Sequence, residues 1–323
     1  MSVNVGDLLT ATAAPVTGNP TPTRSWQWFR GTTAISGANG STYSVQIDDL
    51  GFTLSVQQIE TNLMGVRRAT SAPTSEVVSL DPDALAYIAA VETADGEPLE
   101  AGVKTAINDF VVGCKADGIW DALKASCILA GARTLNGALV PLKGAAPTNF
   151  NFVSEDYNRK TGLKGDGSTK RLRSNRDNNA DPQNSKHLAV MLTENHVGGG
   201  NYALIGQGAG SGGSQIIRTT GWSLRINSAE AALIQNVAAV GLVGASRDNA
   251  ASINYLFDVF GSVNVTSAAP LSDDINVFAR SRDGGDIHTN ARLSFYSIGE
   301  AIDLAALDTR VSNLMTALDG AIT

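Results

Sequence analysis

The sequence has few of the residues on which several classes of protein depend. Its 323 residues include only two cysteines, Cys114 and Cys127, which cannot build a disulfide framework. No stretch approaches the roughly 18 to 20 uninterrupted apolar residues of a membrane helix. The first residues show neither a basic segment nor a long apolar core, so we expect no secretory signal. We therefore expect a soluble protein, made in a reducing cytosol and not inserted in a membrane.

Positive charge is also scarce. Lysine and arginine number 24 against 31 acidic residues, which gives a net charge of −7 and argues against nucleic acid as a partner. Neither Cys-x-x-Cys nor His-Glu-x-x-His occurs, so we expect no zinc site. Glycine, in contrast, is plentiful at 33 residues. Together with many Asn, Ser and Thr, it predicts numerous turns and therefore numerous strands.

Residues 1–80 alternate in the manner of short strands separated by turns. "RSWQWFR" places Trp26 and Trp28 on one side, and "STYSVQI" places Tyr43, Val45 and Ile47 together. This alternation is typical of a β-sandwich. Because one strand rarely leaves two large aromatic side chains exposed, we predict that Trp28 belongs to the core and not to a ligand platform.

Residues 81–132 have a helical pattern. "DPDALAYIAAVETADG" begins with Asp81 as an N-cap and Pro82 at the first helical position. "EPLEAGVKTAINDFVVGCKADG" repeats the pattern, and "IWDALKASCILAG" predicts a third, shorter helix. The two cysteines fall on adjacent predicted helices, where we expect buried free thiols in preference to a disulfide.

Residues 133–323 return to short strands between Gly-, Asn- and Ser-rich loops. The predicted strands are "HLAVMLT", "YALIGQG", "SQIIRT", "WSLRI", "INYLFDVFG", "INVFARS" and "ARLSFYSIG". With no long helix between them, they indicate an antiparallel sandwich or jelly roll. The closing "DLAALDTRVSNLMTALDGAI" spaces its apolar residues by three and four, which suits a coiled-coil seam or a helix packed on its own sandwich. We favour the packed helix.

Two regions of the chain carry groups of motifs that can be compared with known families. "GNPTPTRSWQWFRGTTAISGANGSTYSV", Asp49-Leu50-Gly51 and "TNLMGVRRATSAPT" resemble the immunoglobulin-like modules of bacteriophage structural proteins. Thr53 and Ser55 stand where antibody-type domains have the corner tyrosine and a cysteine, so this region has no inter-sheet disulfide. "AINDFVVGCKADGIWDALKASCILAGA", "NRKTGLKGDGSTKRLRSN" and "RLSFYSIGEAIDLAALDTRVSNLMTAL" resemble phage virion proteins with a concanavalin-like (laminin-G-like) jelly roll.

Together the resemblances imply a mainly β, multidomain chain. They imply an N-terminal Ig-like β-sandwich over 1–80, a short helical connector over 81–132, and a concanavalin-like jelly roll over 133–323 that ends in a helix. They also imply a place in the virion after synthesis in the host cytoplasm. The partners would be other capsid or tail proteins, and the chain would form a homo-oligomer, with a trimer as the usual expectation for fibres.

Concanavalin-like folds include both glycan hydrolases and lectins, so the fold does not show whether the protein is an enzyme. The spacing of its acidic residues is the evidence that bears on this question. Retaining glycosidases place two carboxylates about 5 Å apart, commonly as Glu-x-Asp-x-x-Glu on one strand of this fold. The glutamates after residue 150 are Glu155, Glu194, Glu230 and Glu300, and none has that spacing. We therefore predict that the protein is not an enzyme and needs neither cofactor nor metal.

Three residues are the candidates for binding a glycan: Tyr202, Trp222 and His288. Aromatic rings match the apolar face of a sugar, and Trp222 directly follows Gly221 at a loop edge. His288 lies in "RDGGDIHTN" with Asp283 and Asp286. Such a loop can hold calcium through oxygen ligands, but we favour a polar turn.

A basic patch stands out in this acidic chain. Its residues, with only Asp166 among them, are Arg159, Lys160, Lys164, Lys170, Arg171, Arg173 and Arg176. The patch would dock on an acidic capsid or tail surface or bind anionic polysaccharide. Alternatively it is a solvated strand edge, where Lys and Arg discourage edge-to-edge pairing.

The sequence as a whole predicts a non-enzymatic phage virion structural protein: a capsid decoration, fibre or tail appendage. Its jelly roll would be exposed and would bind host surface glycan. Two alternatives remain open, namely an architectural component without a ligand and a glycan depolymerase.

Overall fold

The computed structural model describes residues 3–208, 210–235, 240–281 and 286–322. The chain divides into two compact units, Met1–Pro82 and Asp83–Thr323. It is mainly β, with several sheets and a C-terminal helix, which confirms the predicted fold class at this level. None of the helices in the described ranges is both long and apolar enough to cross a membrane.

The first unit consists of short strands. They are β1 Val3–Asn4, β2 Leu8–Thr10, β3 Thr23–Arg30, β4 Thr33–Ala34, β5 Thr42–Ser44, β6 Leu54–Asn62, β7 Gly65–Thr70 and β8 Val77–Val78. Four of them form an antiparallel sheet in the order β4-β3-β6-β7, while β2 pairs with β5 and β1 pairs in parallel with β8. Every second residue of β6 from Leu54 to Glu60 is buried, as the predicted alternation requires.

The core of the first unit contains Trp28. Its side chain is 3% exposed, its ring stacks on Tyr43 with centroids 5.6 Å apart, and its Nε1 donates a hydrogen bond to the Gly40 carbonyl at 3.0 Å. Nearby, the buried Asp49 carboxylate accepts hydrogen bonds from Arg30 Nε at 2.7 Å and from the Tyr43 hydroxyl at 2.8 Å. The prediction that Trp28 is a core residue and not a platform is confirmed.

The second unit holds the remaining elements. Its helices are α1 Pro82–Asp95, α2 Ala101–Ala116, α3 Leu135–Ala138 and α4 Leu304–Ala321. Its strands are β9 Leu123–Ile128, β10 Thr148–Phe150, β11 Tyr157–Asn158, β12 Gly162–Lys164, β13 Arg171–Asp177, β14 Lys186–Glu194, β15 Tyr202–Gln207, β16 Gly213–Arg218, β17 Trp222–Ser228, β18 Ala232–Ile234, β19 Gly241–Arg247, β20 Ser252–Phe257, β21 Val259–Asn264, β22 Asp274–Val277, β23 Ala279–Ser281, β24 Ile287–His288 and β25 Arg292–Gly299.

Two sheets form the body of this unit. One runs in the order β10-β13-β22-β15-β16-β17-β18, with β23 beside β15 and β24 beside β23. The other runs in the order β11-β12-β25-β14-β19-β20-β21, with β9 beside β25. Their apolar side chains share one core, in which Trp222 of the first sheet stacks on Phe257 of the second with centroids 5.1 Å apart. The arrangement is a β-sandwich consistent with a jelly roll.

Helix α4 packs on its own unit. Its buried side chains are Leu304, Leu307, Val311, Leu314 and Leu318, and it contacts α2 and β19. Asp303 caps its first turn by accepting hydrogen bonds from the amides of Ala305 and Ala306. The preference for a packed helix over a coiled-coil seam is therefore confirmed.

The predicted third helix, "IWDALKASCILAG", is wrong. Only a single 3₁₀ turn forms at Trp120–Ala122, and the next six residues are strand β9, paired antiparallel with β25. Five of the six β9 residues are buried. A short apolar segment that is buried on both faces shows no clear spacing of apolar and polar residues. The sequence therefore does not distinguish a helix from a strand there.

Two predicted strands are each broken in two. The run around 253–261 is a hairpin of β20 and β21 that turns at Asp258, where φ is 65°. The run 275–281 separates into β22 and β23 at Phe278, where φ is 68°. A positive φ is uncommon for residues other than glycine. Because neither break falls on a glycine, the sequence gives no signal for either of them.

Both cysteines are free thiols buried in the second unit, as predicted. Burial raises the pKa of Cys114 and of Cys127 to about 12, and the Cys127 Sγ donates to the Tyr296 hydroxyl at 3.4 Å.

We expect native protein at pH 8 to resist iodoacetamide, because the thiolate is the reactive form and neither thiol reaches solvent. Intact-mass measurement should show no adduct on the native protein and two adducts in denaturant. Rapid modification of the native protein would contradict this burial.

Candidate functional site

Trp222 does not lie at the surface. Its side chain is 1% exposed, and its ring stacks on Phe257 and meets the edge of Tyr202 with centroids 6.0 Å apart. A sugar stacks on an exposed face of an aromatic ring, and neither face of the Trp222 ring is exposed. The prediction of Trp222 as a glycan platform is corrected: the side chain is part of the sandwich core.

The rings of Tyr202 and His288 are both partly or fully covered by neighbouring residues. The Tyr202 ring is half-buried under His196, with ring centroids 4.1 Å apart and an angle of 11° between the planes. His288 is 8% exposed; its Nδ1 lies 3.2 Å from the Lys170 carbonyl and its Nε2 lies 3.9 Å from the Asp286 carboxylate. Asp283, named with them above, lies outside the described residues.

The predicted docking patch consists of ion pairs. Its partners are Glu100 for Arg159 at 2.8 Å, Asp319 for Lys160 at 3.3 Å, Glu194 for Lys164 at 2.7 Å, Asp156 for Lys170 at 2.5 Å, Asp286 for Arg171 at 2.8 Å, Asp274 for Arg173 and Asp181 for Arg176. A carboxylate at contact distance cancels most of the field of each cation. The seven side chains are therefore not one free positive surface, and the prediction of such a patch is corrected.

Asp166 organises the loop that interrupts these basic residues. Its carboxylate accepts hydrogen bonds from the backbone amides of Ser168, Thr169 and Lys170 and from the Thr169 hydroxyl. Burial opposes ionisation here, but these hydrogen bonds prevail and hold the pKa of Asp166 well below its usual value. The Gly-Asp-Gly-Ser-Thr segment is thus a self-bonded turn.

A groove of about 870 Å³ lies against the nine-stranded sheet. It is lined by Phe150, Arg171, Arg173, Gly208, Gly210, Leu271, Asp273, Asp274, Asn276 and Ser281. Leu172 and Ile275 alternate with these lining residues and are fully buried. Because alternate residues of a strand face opposite sides, the groove lies on the side of the sheet that faces away from the core.

Three neighbouring strands bring the groove side chains together. In the ladder between β10 and β13, Phe150 stands opposite Arg171, and the guanidinium carbon lies 4.4 Å from the centre of the ring. In the ladder between β13 and β22, Arg173 stands opposite Asn276. An aromatic ring, two guanidinium groups and an amide therefore share one face.

The polar groups of the groove are held by hydrogen bonds. Arg171 Nη1 donates to Asp286 at 2.8 Å, and Arg173 donates to Asp274. Gln207 Nε2 donates to Asp273 Oδ2 at 3.0 Å. Asn276 Nδ2 donates to the Ser281 hydroxyl at 3.1 Å. The groove thus presents fixed donors next to fixed acceptors, which is the chemistry needed to bind hydroxyl groups.

Most of this groove was not among the predicted site residues. Arg171 and Arg173 were named for docking, whereas Phe150, Asp273, Asp274 and Asn276 were not named. The signal present in the sequence is the pair of aspartates in "LSDDINVF" at the start of a strand, which the Glu-x-Asp-x-x-Glu motif does not cover. Within the described ranges, no three His, Cys, Asp or Glu side chains are grouped to hold a metal ion.

No family model and no curated protein matches the sequence. Solved structures with similar folds include a Trypanosoma rangeli sialidase mutant displaying trans-sialidase activity. It has 10% identity, coverage of 87% of this chain and 46% of that one, and a TM-score of 0.42. The enzymatically active domain of bacteriophage CBA120 tailspike protein 2 has 11% identity, coverage of 53% and 29%, and a TM-score of 0.31. Domains LG4-5 of the mouse laminin α1 chain have 11% identity, coverage of 94% and 90%, and a TM-score of 0.29.

These comparisons correct the prediction that the protein is not an enzyme. The structures found include sialidases and the enzymatically active domain of a tailspike, so the exclusion of catalysis is withdrawn. At these identities the likeness concerns the fold alone, and this chain spans about half the length of the sialidases, at 46% and 44%.

Proposed function

We propose that the groove on the nine-stranded sheet binds glycan. The observation that carries the proposal is the combination of an aromatic ring, Phe150, with arginine, aspartate and asparagine side chains along one open groove. Its volume of about 870 Å³ falls within the roughly 300 to 1,000 Å³ of ligand pockets. The ring offers an apolar contact, and the polar side chains offer directional hydrogen bonds.

We further propose that the chain is a component of a phage particle, with an Ig-like first unit and a concanavalin-like second unit. The two sequence resemblances support this, since they extend over nearly the whole chain. Other capsid or tail proteins would be its partners, and a homo-oligomer such as a trimer would present several grooves. Weak contacts at each groove would then add through avidity to bind a host surface glycan.

Arg173→Ala and Phe150→Ala are expected to weaken glycan binding by at least about tenfold each. For Arg173, loss of a hydrogen bond to a charged group costs about 1.5 to 3 kcal/mol. For Phe150, loss of the apolar contact with the sugar costs about 1.5 to 3 kcal/mol, and about 1.4 kcal/mol corresponds to a factor of ten. Arg173 is half exposed, so its removal should leave the fold intact. A glycan array selects the ligand, and isothermal titration calorimetry then measures the affinity.

Lys160→Ala is the matched control for these variants. Lys160 comes from the same basic stretch, but its partner is the exposed Asp319 of α4, outside the groove. The control should bind as the wild type does. Equal affinity of all the variants for a bound glycan would contradict the groove as the site.

Glycan hydrolysis is a second candidate, favoured by two aspartates that are consecutive in the sequence and both line the groove, Asp273 and Asp274. Glycosidases commonly use a pair of carboxyl groups as acid and as base or nucleophile. Release of new reducing ends from a bound polysaccharide, lost in Asp273→Asn and Asp274→Asn, would support hydrolysis. Binding without release would leave recognition as the function.

A further inference from the structure

We propose that the groove selects neutral glycans through pairs of neighbouring hydroxyl groups and discriminates against acidic polysaccharide. This inference rests on the proposed function and names its substrate class. It starts from the charge of the groove. Arg171 and Arg173 supply two positive charges, while Asp273 and Asp274 on the wall supply two negative charges.

An anionic ligand would meet two guanidinium groups whose positive charge is already paired with a carboxylate, although some of their N–H donors are still available. Arg171 is paired with Asp286, and Arg173 is paired with Asp274. Displacing either carboxylate would leave an aspartate facing the incoming anion, and like charges in contact repel. Among the described groove residues there is therefore no excess of positive charge to attract a uronic or sialic acid.

A neutral hydroxyl group, in contrast, can use both members of such a pair. It donates one hydrogen bond and accepts others, so an aspartate can accept from it while the adjacent arginine donates to it. Arg173 with Asp274 is one such donor–acceptor couple. Asn276 with Ser281 is a second, with its atoms 3.1 Å apart. Two couples on one face suit two hydroxyl groups on adjacent carbons of a sugar.

Gln207 fixes the orientation of a third acceptor. Its side chain is 1% exposed, and its Nε2 donates to Oδ2 of Asp273, which holds the Asp273 carboxylate in one orientation on the wall of the groove.

The experiment compares neutral and acidic polysaccharides on the full chain. The probes are dextran, mannan and galactan on one side, and polygalacturonate and sialylated oligosaccharides on the other. Titrations are made at low and high salt with wild type, Arg173→Gln, Asp274→Asn and the control Lys160→Gln. For a neutral ligand we expect both groove variants to lose at least about fivefold in affinity, with little effect of salt, because screening acts on charges.

The outcomes separate this inference from the proposed function. Binding of an acidic probe that Asp274→Asn strengthens, Arg173→Gln weakens and salt abolishes would overturn neutral selectivity while glycan binding stands. Binding of none of the probes would overturn both. Binding of a neutral probe that neither groove variant changes would also overturn both, because the ligand would then lie elsewhere.

Discussion

Replacement of Asp181 by asparagine is expected to lower the free energy of unfolding of the second unit by about 3 to 5 kcal/mol. Asp181 and Lys186 are fully buried, with the Lys186 Nζ 3.0 Å from Asp181 Oδ2. Burial lowers the pKa of Lys186, and Asp181 opposes that shift. Without the carboxylate charge, the buried ammonium loses this counter-ion and keeps its hydrogen bond to the neutral Asn178 carbonyl at 3.0 Å.

Urea unfolding followed by near-UV circular dichroism would measure this loss, with the transition of the second unit analysed by itself because the chain has two compact units. The matched control is Asp319→Asn, which removes an ion pair whose aspartate side chain is 69% exposed. That change should cost less than about 1 kcal/mol. Equal losses in the two variants would show that the buried pair contributes no more than an exposed one.

Trp222→Ala is expected to cost about 3 to 5 kcal/mol of stability, because it removes a fully buried ring and leaves a cavity between the two sheets. The ring contacts Phe257 on one side and Tyr202 at its edge. Phe260→Ala is the control, since Phe260 is 59% exposed and its loss should cost less than about 1 kcal/mol.

The same denaturation experiment measures both aromatic variants, and the glycan titration is repeated on them. A Trp222 variant with unchanged stability but weaker glycan binding would contradict its place in the core. It would restore the earlier interpretation of this residue as a binding platform.

The features that could be predicted from the sequence are those with a local period. The spacing of Leu307, Val311, Leu314 and Leu318 is sufficient to define the buried face of α4, which the structure confirms. Alternation in "RSWQWFR" likewise identifies Trp28 as buried. In both cases the pattern lies within one element, so no knowledge of distant segments is needed.

The groove and the ion pairs could not be predicted in this way, because they join distant parts of the chain. Arg171 and Asp286 are 115 residues apart, and Arg173 and Asp274 are 101 apart. A run of basic residues therefore looked like free positive charge, although its neutralising partners lie on other strands. Likewise, the alternation that identifies a strand cannot show that β10, β13 and β22 are neighbours.

Strand β9 has a practical consequence for anyone who produces parts of this protein. Expression of residues 133–323 alone would omit β9, which pairs with β25 from Phe295 to Gly299, and α2, whose Phe110 packs against Phe295. The truncated product would expose an unpaired strand edge beside an apolar surface, a combination that promotes aggregation. A recombinant fragment that begins near Asp83 retains both elements and is the better starting point for crystallisation.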